Sequence, residues 1–269
     1  MKQRAITGLF FIIVMIGSNL LGPYVFSVFY LVLSLFCLLE FYKLVKQGGM
    51  QPERFTGALA GVIMFFFFAA NCYFPAYKYI ILLPILLSFI PIGELYKKST
   101  APFTNIGFTY LGLLMAVAPF LFFHAMAFTR GDGVFNFHVP LGFLIMLWSN
   151  DTGAYLVGSK FGRNKLFERH SPKKSWEGFI GGILICAFAA YILSRFYVEY
   201  NCFDWIIMSL IISNFGTMGD LVESMFKRSL NVKDSGGILP GHGGLLDRFD
   251  GLLLAAPVVY AYLYFITNV

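Results

Sequence analysis

Apolar runs of membrane-crossing length constrain this chain more tightly than any other feature of its sequence. They fall at about residues 5–22, 24–43, 56–72, 77–95, 103–127, 138–158, 177–195, 204–222 and 251–267, separated by charged or Gly/Pro-rich turns. A helix needs about 20 mainly apolar residues to cross a bilayer. Because the runs are continuous rather than alternating, they predict helices and not barrel strands, each satisfying its own backbone N–H and C=O groups in the hydrocarbon. Hydrophobic residues make up 58% of the 269 residues, beyond the roughly 45–50% usual for soluble domains. The expected fold is an all-α polytopic membrane protein of about nine transmembrane helices.

Charge placement gives an independent count, since cytoplasmic loops collect Lys and Arg. With the N-terminus in the cytoplasm, the inner segments take Lys2 and Arg4, then Lys43, Lys46 and Arg54, then Lys97 and Lys98. They also take Lys160, Arg163, Lys165, Arg169, Lys173 and Lys174, and finally Lys227, Arg228, Lys233 and Arg248. Of the 20 cations only Lys78, Arg130 and Arg195 fall outside. One span more or fewer would reverse every later loop and blur this split, so the expectation is nine spans, N-terminus inside and C-terminus outside, in the cell's inner (cytoplasmic) membrane. The same bias accounts for the net charge of +6 without nucleic acid and suits anionic lipids or an anionic substrate.

The basic start and apolar run of residues 1–22 lack an A-x-A cleavage site, so a retained first helix is expected. The chain reads as a single integral membrane domain over 1–269. Its N-terminal helices occupy 1–137, and a candidate catalytic core occupies 138–269 with cytoplasmic loops 159–176 and 223–250. The longest polar gap is too short to build a core of its own. Cys37, Cys72, Cys186 and Cys202 have no CxxC spacing and read as small buried hydrophobes rather than zinc ligands or a disulfide framework.

Charged groups at bilayer depth cost at least about 2.5–3.5 kcal/mol each and call for a reason. Asn150 and Asp151 lie inside the sixth run, either as part of a site or as a structural carboxylate neutralised by a nearby cation. In the eighth, Gly216, Asp220, Glu223 and Lys227 share one helical face. An i, i+4 ion pair between Glu223 and Lys227 is the simpler reading, but it leaves Asp220 unexplained. Asp247 and Asp250, spaced i, i+3 before the last run, suit a helix N-terminus. They also follow the glycine-rich GILPGHGG, and paired carboxylates beside such a loop suit a divalent cation and phosphates. Ser171-Pro172-Lys173-Lys174-Ser175, just before Glu177, offers hydroxyls and ammonium groups to phosphate oxygens. With the topology above, all these segments open on the cytoplasmic side. In the first half the acids within spans, Glu40 and Glu94, lie close to span ends.

Gly219-Asp220-Leu221-Val222-Glu223-Ser224, Lys227-Arg228, Lys233-Asp234 and the run from Pro240 to Asp250, PGHGGLLDRFD, together resemble the signature of phosphatidate cytidylyltransferases, also called CDP-diacylglycerol synthases. Asn150-Asp151 with Ala154, Tyr155 and Gly158, and SPKKS with Glu177-Gly178, are similar to other segments of that family, so the likeness covers residues 150–251. The resemblance implies condensation of CTP with phosphatidic acid, giving CDP-diacylglycerol and pyrophosphate, with Mg²⁺ as cofactor. It implies Asp220, Asp247 and Asp250 as metal ligands, with Glu223 a further candidate, and Lys227 and Arg228 beside them in catalysis. Substrate contacts are implied for Asn150, Asp151, Ser171, Lys173, Lys174, Ser175, Glu177, Ser224, Lys233, Asp234, Gly243, Gly244 and Arg248. His242 joins them as a loop histidine more suited to bonding backbone than to proton transfer, because phosphate is already an ionised nucleophile. A CDP-archaeol synthase, a dolichol kinase-like enzyme and a transporter are the alternatives, the last opposed by the lack of a visible internal repeat. Gly57-x-x-x-Gly61 and Gly178-x-x-x-Gly182 permit close helix packing within one chain or across a homodimer.

Overall fold

The computed structural model describes residues 2–74, 81–129, 133–236 and 243–267. His242, with Pro240 and Gly241, lies outside them, as do Lys78 and Arg130. The helices are α1 (Lys2–Leu20), α2 (Pro23–Gln47), α3 (Arg54–Tyr73), α4 (Leu82–Leu95), α5 (Pro102–Gly112), α6 (Ala118–Ala125), α7 (His138–Phe161), α8 (Trp176–Phe196), α9 (Cys202–Ser229) and α10 (Leu246–Thr267). A π-helical segment, Leu113–Val117, joins α5 to α6 into one rod. Pro119 follows directly, and the wider π turn accommodates a residue that lacks an N–H and crowds the preceding turn.

Six rods are long and apolar enough to cross a membrane: α2, α3, the α5–α6 rod, α8, α9 and α10. Thr7–Leu20 and α4 are shorter apolar helices, and α7 has the length but carries the polar Ser149-Asn150-Asp151-Thr152 within it. Large side chains such as Phe10, Phe66, Phe89, Leu184 and Phe188 face outward, as a chain solvated by lipid requires. Both GxxxG segments are used inside the chain. Gly57 and Gly61 seat Tyr42, Leu38 and Val117, while Gly178 and Gly182 bring α8 against Ala154, Gly158 and Asn150 of α7.

Two boundaries depart from the sequence reading, and both matter to the site. The eighth run continues as helix to Ser229, and α10 starts at Leu246, so the expected loop 223–250 shrinks to a connection from Leu230 to Leu245. Apolarity ends where charge begins, whereas the helical backbone continues past the apolar region with its charges on one face. The loop 159–176 is also partly ordered. Strand β1 (Lys165–Phe167) pairs antiparallel with β2 (Ser171–Ser175), Lys165 opposite Ser175 and Phe167 opposite Ser171, with an irregularity between.

Rings fix the rotation of the helices that carry the acids. Phe226 of α9 stacks on Phe41 of α2 at 4.7 Å and 6°. Phe249 of α10 packs edge-on against Phe120 of α6 at 5.2 Å. Burying these two rings on one side leaves Asp220, Glu223 and Asp250 to turn toward one another.

Candidate active site

Asp220 and Glu223 lie about one turn apart on α9, and Asp250 lies in the first turns of α10. One carboxylate oxygen from each comes within 4.8 Å of the other two. The approach depends on glycine. A Cβ on Gly219 would overlap the Asp250 carbonyl oxygen and stand 3.6 Å from Gly251 Cα, so only a bare backbone lets the two helices cross here. Ser224 donates to Asp220 Oδ1 at 3.3 Å, and the Gly251 N–H donates to Asp250 Oδ1 at 2.7 Å.

Glu223 is fully buried, and its Oε2 pairs with Lys227 at 2.5 Å, the i, i+4 pair that the spacing allowed. Lys227 also holds Asp247 Oδ1 at 2.5 Å. The other oxygen of Asp247 accepts from the N–H groups of Gly244 at 2.9 Å and Ser235 at 3.0 Å. Asp247 therefore stands outside the three-carboxylate group, tied to it through Lys227 and anchored in the loop before α10. Gly243 turns that loop with φ +82°, a conformation open mainly to glycine.

From the other side, Lys174 of β2 forms an ion pair with Asp220. Beneath it lies a cavity of about 440 Å³ lined by Asn150, Asp151, Tyr155, Gly158, Lys173, Lys174, Ser175, Gly178, Phe179, Thr217 and Asp220. The hairpin thus brings the SPKKS lysines and the Asn150-Asp151 pair together at the carboxylate cluster. Ser175 caps α8 by accepting the Gly178 N–H at 3.2 Å. Glu177 does not line the cavity and holds the segment that follows α7, accepting from Arg163 N at 3.1 Å and Asn164 Nδ2 at 2.8 Å. Arg228 reaches the Val232 carbonyl at 3.4 Å, and Lys233, Asp234 and Arg248 are exposed around the loop.

Two features went unseen in the sequence. One is the hairpin, whose strands are too short for an alternating pattern to register. The other is Glu40, which is buried on α2 and accepts from Leu246 N at 2.8 Å and from Ser235 Oγ at 3.3 Å. Its signal was present as an acid set back from the end of an apolar run, where ionised groups are costly.

The residues suit a hard divalent cation. Their donors are carboxylate oxygens, and among the described residues Glu223 Oε1 is buried with no hydrogen-bond partner. A buried carboxylate oxygen left in that state is costly unless something binds it.

The sequence matches the cytidylyltransferase family over residues 2–266. The phosphatidate cytidylyltransferase of Staphylococcus haemolyticus is 35% identical over 262 residues, covering 96% of this chain and 97% of that protein. Phosphatidate cytidylyltransferases of Staphylococcus aureus and Staphylococcus saprophyticus are 35% and 33% identical, with the same coverage. Since the likeness runs almost end to end, taking in the helices ahead of the acid cluster as well as the cluster itself, the chain belongs to the cytidylyltransferase family.

Proposed function

We infer that this enzyme transfers CMP from CTP to phosphatidic acid, releasing pyrophosphate and forming CDP-diacylglycerol for phospholipid synthesis. The observation that carries the reading is the meeting of Asp220, Glu223 and Asp250 beside a cavity whose wall includes Lys173 and Lys174. Asp220, Glu223 and Asp250 would hold Mg²⁺, which supplies electrostatic stabilisation to phosphate oxygens when bound. Asp247 holds Lys227 beside Glu223, so that this ammonium group balances two carboxylates at once.

A phosphate oxygen of phosphatidic acid attacks the α-phosphorus of CTP, and the bond from that phosphorus to the pyrophosphate oxygen breaks. Both reactants are anionic and repel each other, so the chain's contribution is mainly positioning and charge. Lys174, released from Asp220, and Lys173 meet phosphate oxygens at the cavity, while Arg228, Lys233 and Arg248, exposed on and beside the α9–α10 connection, add positive charge for the incoming anions. Tyr155, Leu166 and Phe179 supply an apolar wall, so the lipid headgroup can reach the acids while its acyl chains stay in the bilayer. No general base is required, because the attacking phosphate is already ionised.

Nine spans with the N-terminus inside and the C-terminus outside remain the topology that best fits the Lys and Arg distribution, and that topology faces the site to the cytoplasm, where CTP is found. The test is a membrane assay with labelled CTP, Mg²⁺ and phosphatidic acid, run in parallel with an archaeal ether-lipid phosphate. Wild type should release pyrophosphate with the diacyl acceptor, and Asp250→Asn should make no product while still inserting. Normal turnover by that variant would remove Asp250 from the metal site, and preference for the ether lipid would reassign the acceptor.

A further inference from the structure

Glu40 belongs to the half of the chain that carries none of the expected site residues, yet it reaches the loop before α10. Its side chain is 3% exposed. Leu246 opens α10, so its N–H is one of the first-turn donors that the helix itself cannot satisfy. Glu40 Oε2 accepts that N–H at 2.8 Å and so caps α10 from a different helix.

The same oxygen accepts from Ser235 Oγ at 3.3 Å, and Ser235 is itself buried. Ser235 in turn donates its N–H to Asp247 Oδ2 at 3.0 Å and accepts the Asp247 N–H on its hydroxyl at 3.3 Å. Asp247 then holds Lys227, and Lys227 holds Glu223. The loop backbone wraps Glu40 so closely that a Cβ on either Gly236 or Gly244 would overlap Oε1. Asp250 lies one turn beyond Leu246, so fixing the Leu246 N–H fixes how far along its axis α10 presents Asp250 to α9.

We propose that Glu40 is a positioning residue for the reaction: from α2 it sets the register of the α10 first turn and of the Ser235–Asp247 clasp, and through them the spacing of the metal ligands. It touches neither substrate nor the carboxylate cluster. The proposal rests on the reading of Asp220, Glu223 and Asp250 as that cluster.

The test uses the full chain in detergent and in membranes. Glu40→Leu keeps most of the side-chain volume and deletes the acceptor, while Glu40→Gln keeps an acceptor oxygen. In Glu40→Leu, amide hydrogen exchange in peptides covering Gly244–Asp250, measured without metal or substrate, should rise about tenfold. The Mg²⁺ concentration for half-maximal turnover should rise by a similar factor, and kcat should fall about tenfold to a hundredfold. Glu40→Gln should recover most of each change. Wild-type exchange and Mg²⁺ dependence in Glu40→Leu would overturn the proposal, as would a Glu40→Gln protein impaired as badly as Glu40→Leu.

Should Glu40→Leu fail to insert, Ser235→Ala breaks the clasp from its other side and should raise exchange at Asp247 and the Mg²⁺ requirement severalfold. No change in either would also overturn the proposal. Asp250→Asn separates the two readings, because it should stop turnover while leaving exchange at Gly244–Leu246 unchanged. If that variant turns over normally, the metal-site reading falls while an exchange effect at Glu40 stands. If it is inactive and Glu40→Leu exchanges like wild type, the Glu40 proposal alone fails.

Discussion

Replacing Gly219 with alanine probes how tightly the site depends on helix approach. The new methyl would stand 3.4 Å from the Asp250 carbonyl carbon with the oxygen lying toward it. A carbonyl bond is about 1.2 Å long and an ordinary carbon-to-oxygen contact is about 3.3 Å, so the overlap is about 1 Å. Both partners are backbone, so no side chain can rotate to relieve it. The α9–α10 crossing must open by that amount, and the separation of Asp220 from Asp250 grows with it. A displacement of about 1 Å at reacting groups costs on the order of a hundredfold in rate, and overpacking of this kind costs about 1–3 kcal/mol in stability. Turnover measured across a Mg²⁺ titration should therefore fall about a hundredfold while the protein still inserts. Gly216→Ala is the control. There the added methyl would meet the end of the Leu147 side chain at 3.2 Å and the Gly251 carbonyl only at 3.7 Å, so a small rotation of Leu147 accommodates it. Gly219→Ala with activity within about twofold of wild type would refute the claim that this crossing sets ligand spacing.

Lys227→Met should leave Glu223 and Asp247 without their shared cation and destabilise the protein by about 3–5 kcal/mol, seen as a lower midpoint in detergent thermal unfolding; an unchanged midpoint would show that the clasp is dispensable. At the opposite end of the bundle, burial works to raise the Glu199 carboxyl, but hydrogen bonds from Asn136 and His138 outweigh it and hold it below its ordinary range. A group whose pKa is lowered on folding stabilises above its unfolded value and loses that contribution as pH falls through the folded one. Wild type should thus lose more stability than Glu199→Gln on acidification below about pH 4.3, and parallel pH profiles of the two unfolding midpoints would disprove it.

The acids of α9 and α10 were legible in the sequence because membranes make ionised side chains conspicuous. Asp220 interrupts an apolar run, Glu223 follows directly at its end, and helical spacing alone places them on one face. The Lys and Arg distribution put Asp250 on the same side of the membrane as these acids, but not its contact with them, since what joins the two helices is the bare backbone at Gly219, and a single glycine announces nothing about its neighbour. Helix ends were read poorly for a related reason. Hydropathy reports where lipid contact stops, whereas the backbone of α9 runs on to Ser229 and that of α10 begins at Leu246.

Glu40 shows what a one-dimensional reading misses in principle. Its partners, Ser235 and Leu246, are some two hundred positions away along the chain, and no periodicity links an acid on one helix to the capping need of another. Its position close to the end of an apolar run made it look like ordinary interfacial charge. In the fold, the same short distance from the end is what lets α2 reach the first turn of α10. The N-terminal helices therefore do more than hold the core in the bilayer, because a carboxylate they carry sets the loop on which Asp247 and Asp250 depend. Signature motifs that all fall within residues 150–251 could not reveal that dependence, since the connection is made by folding and not by motif.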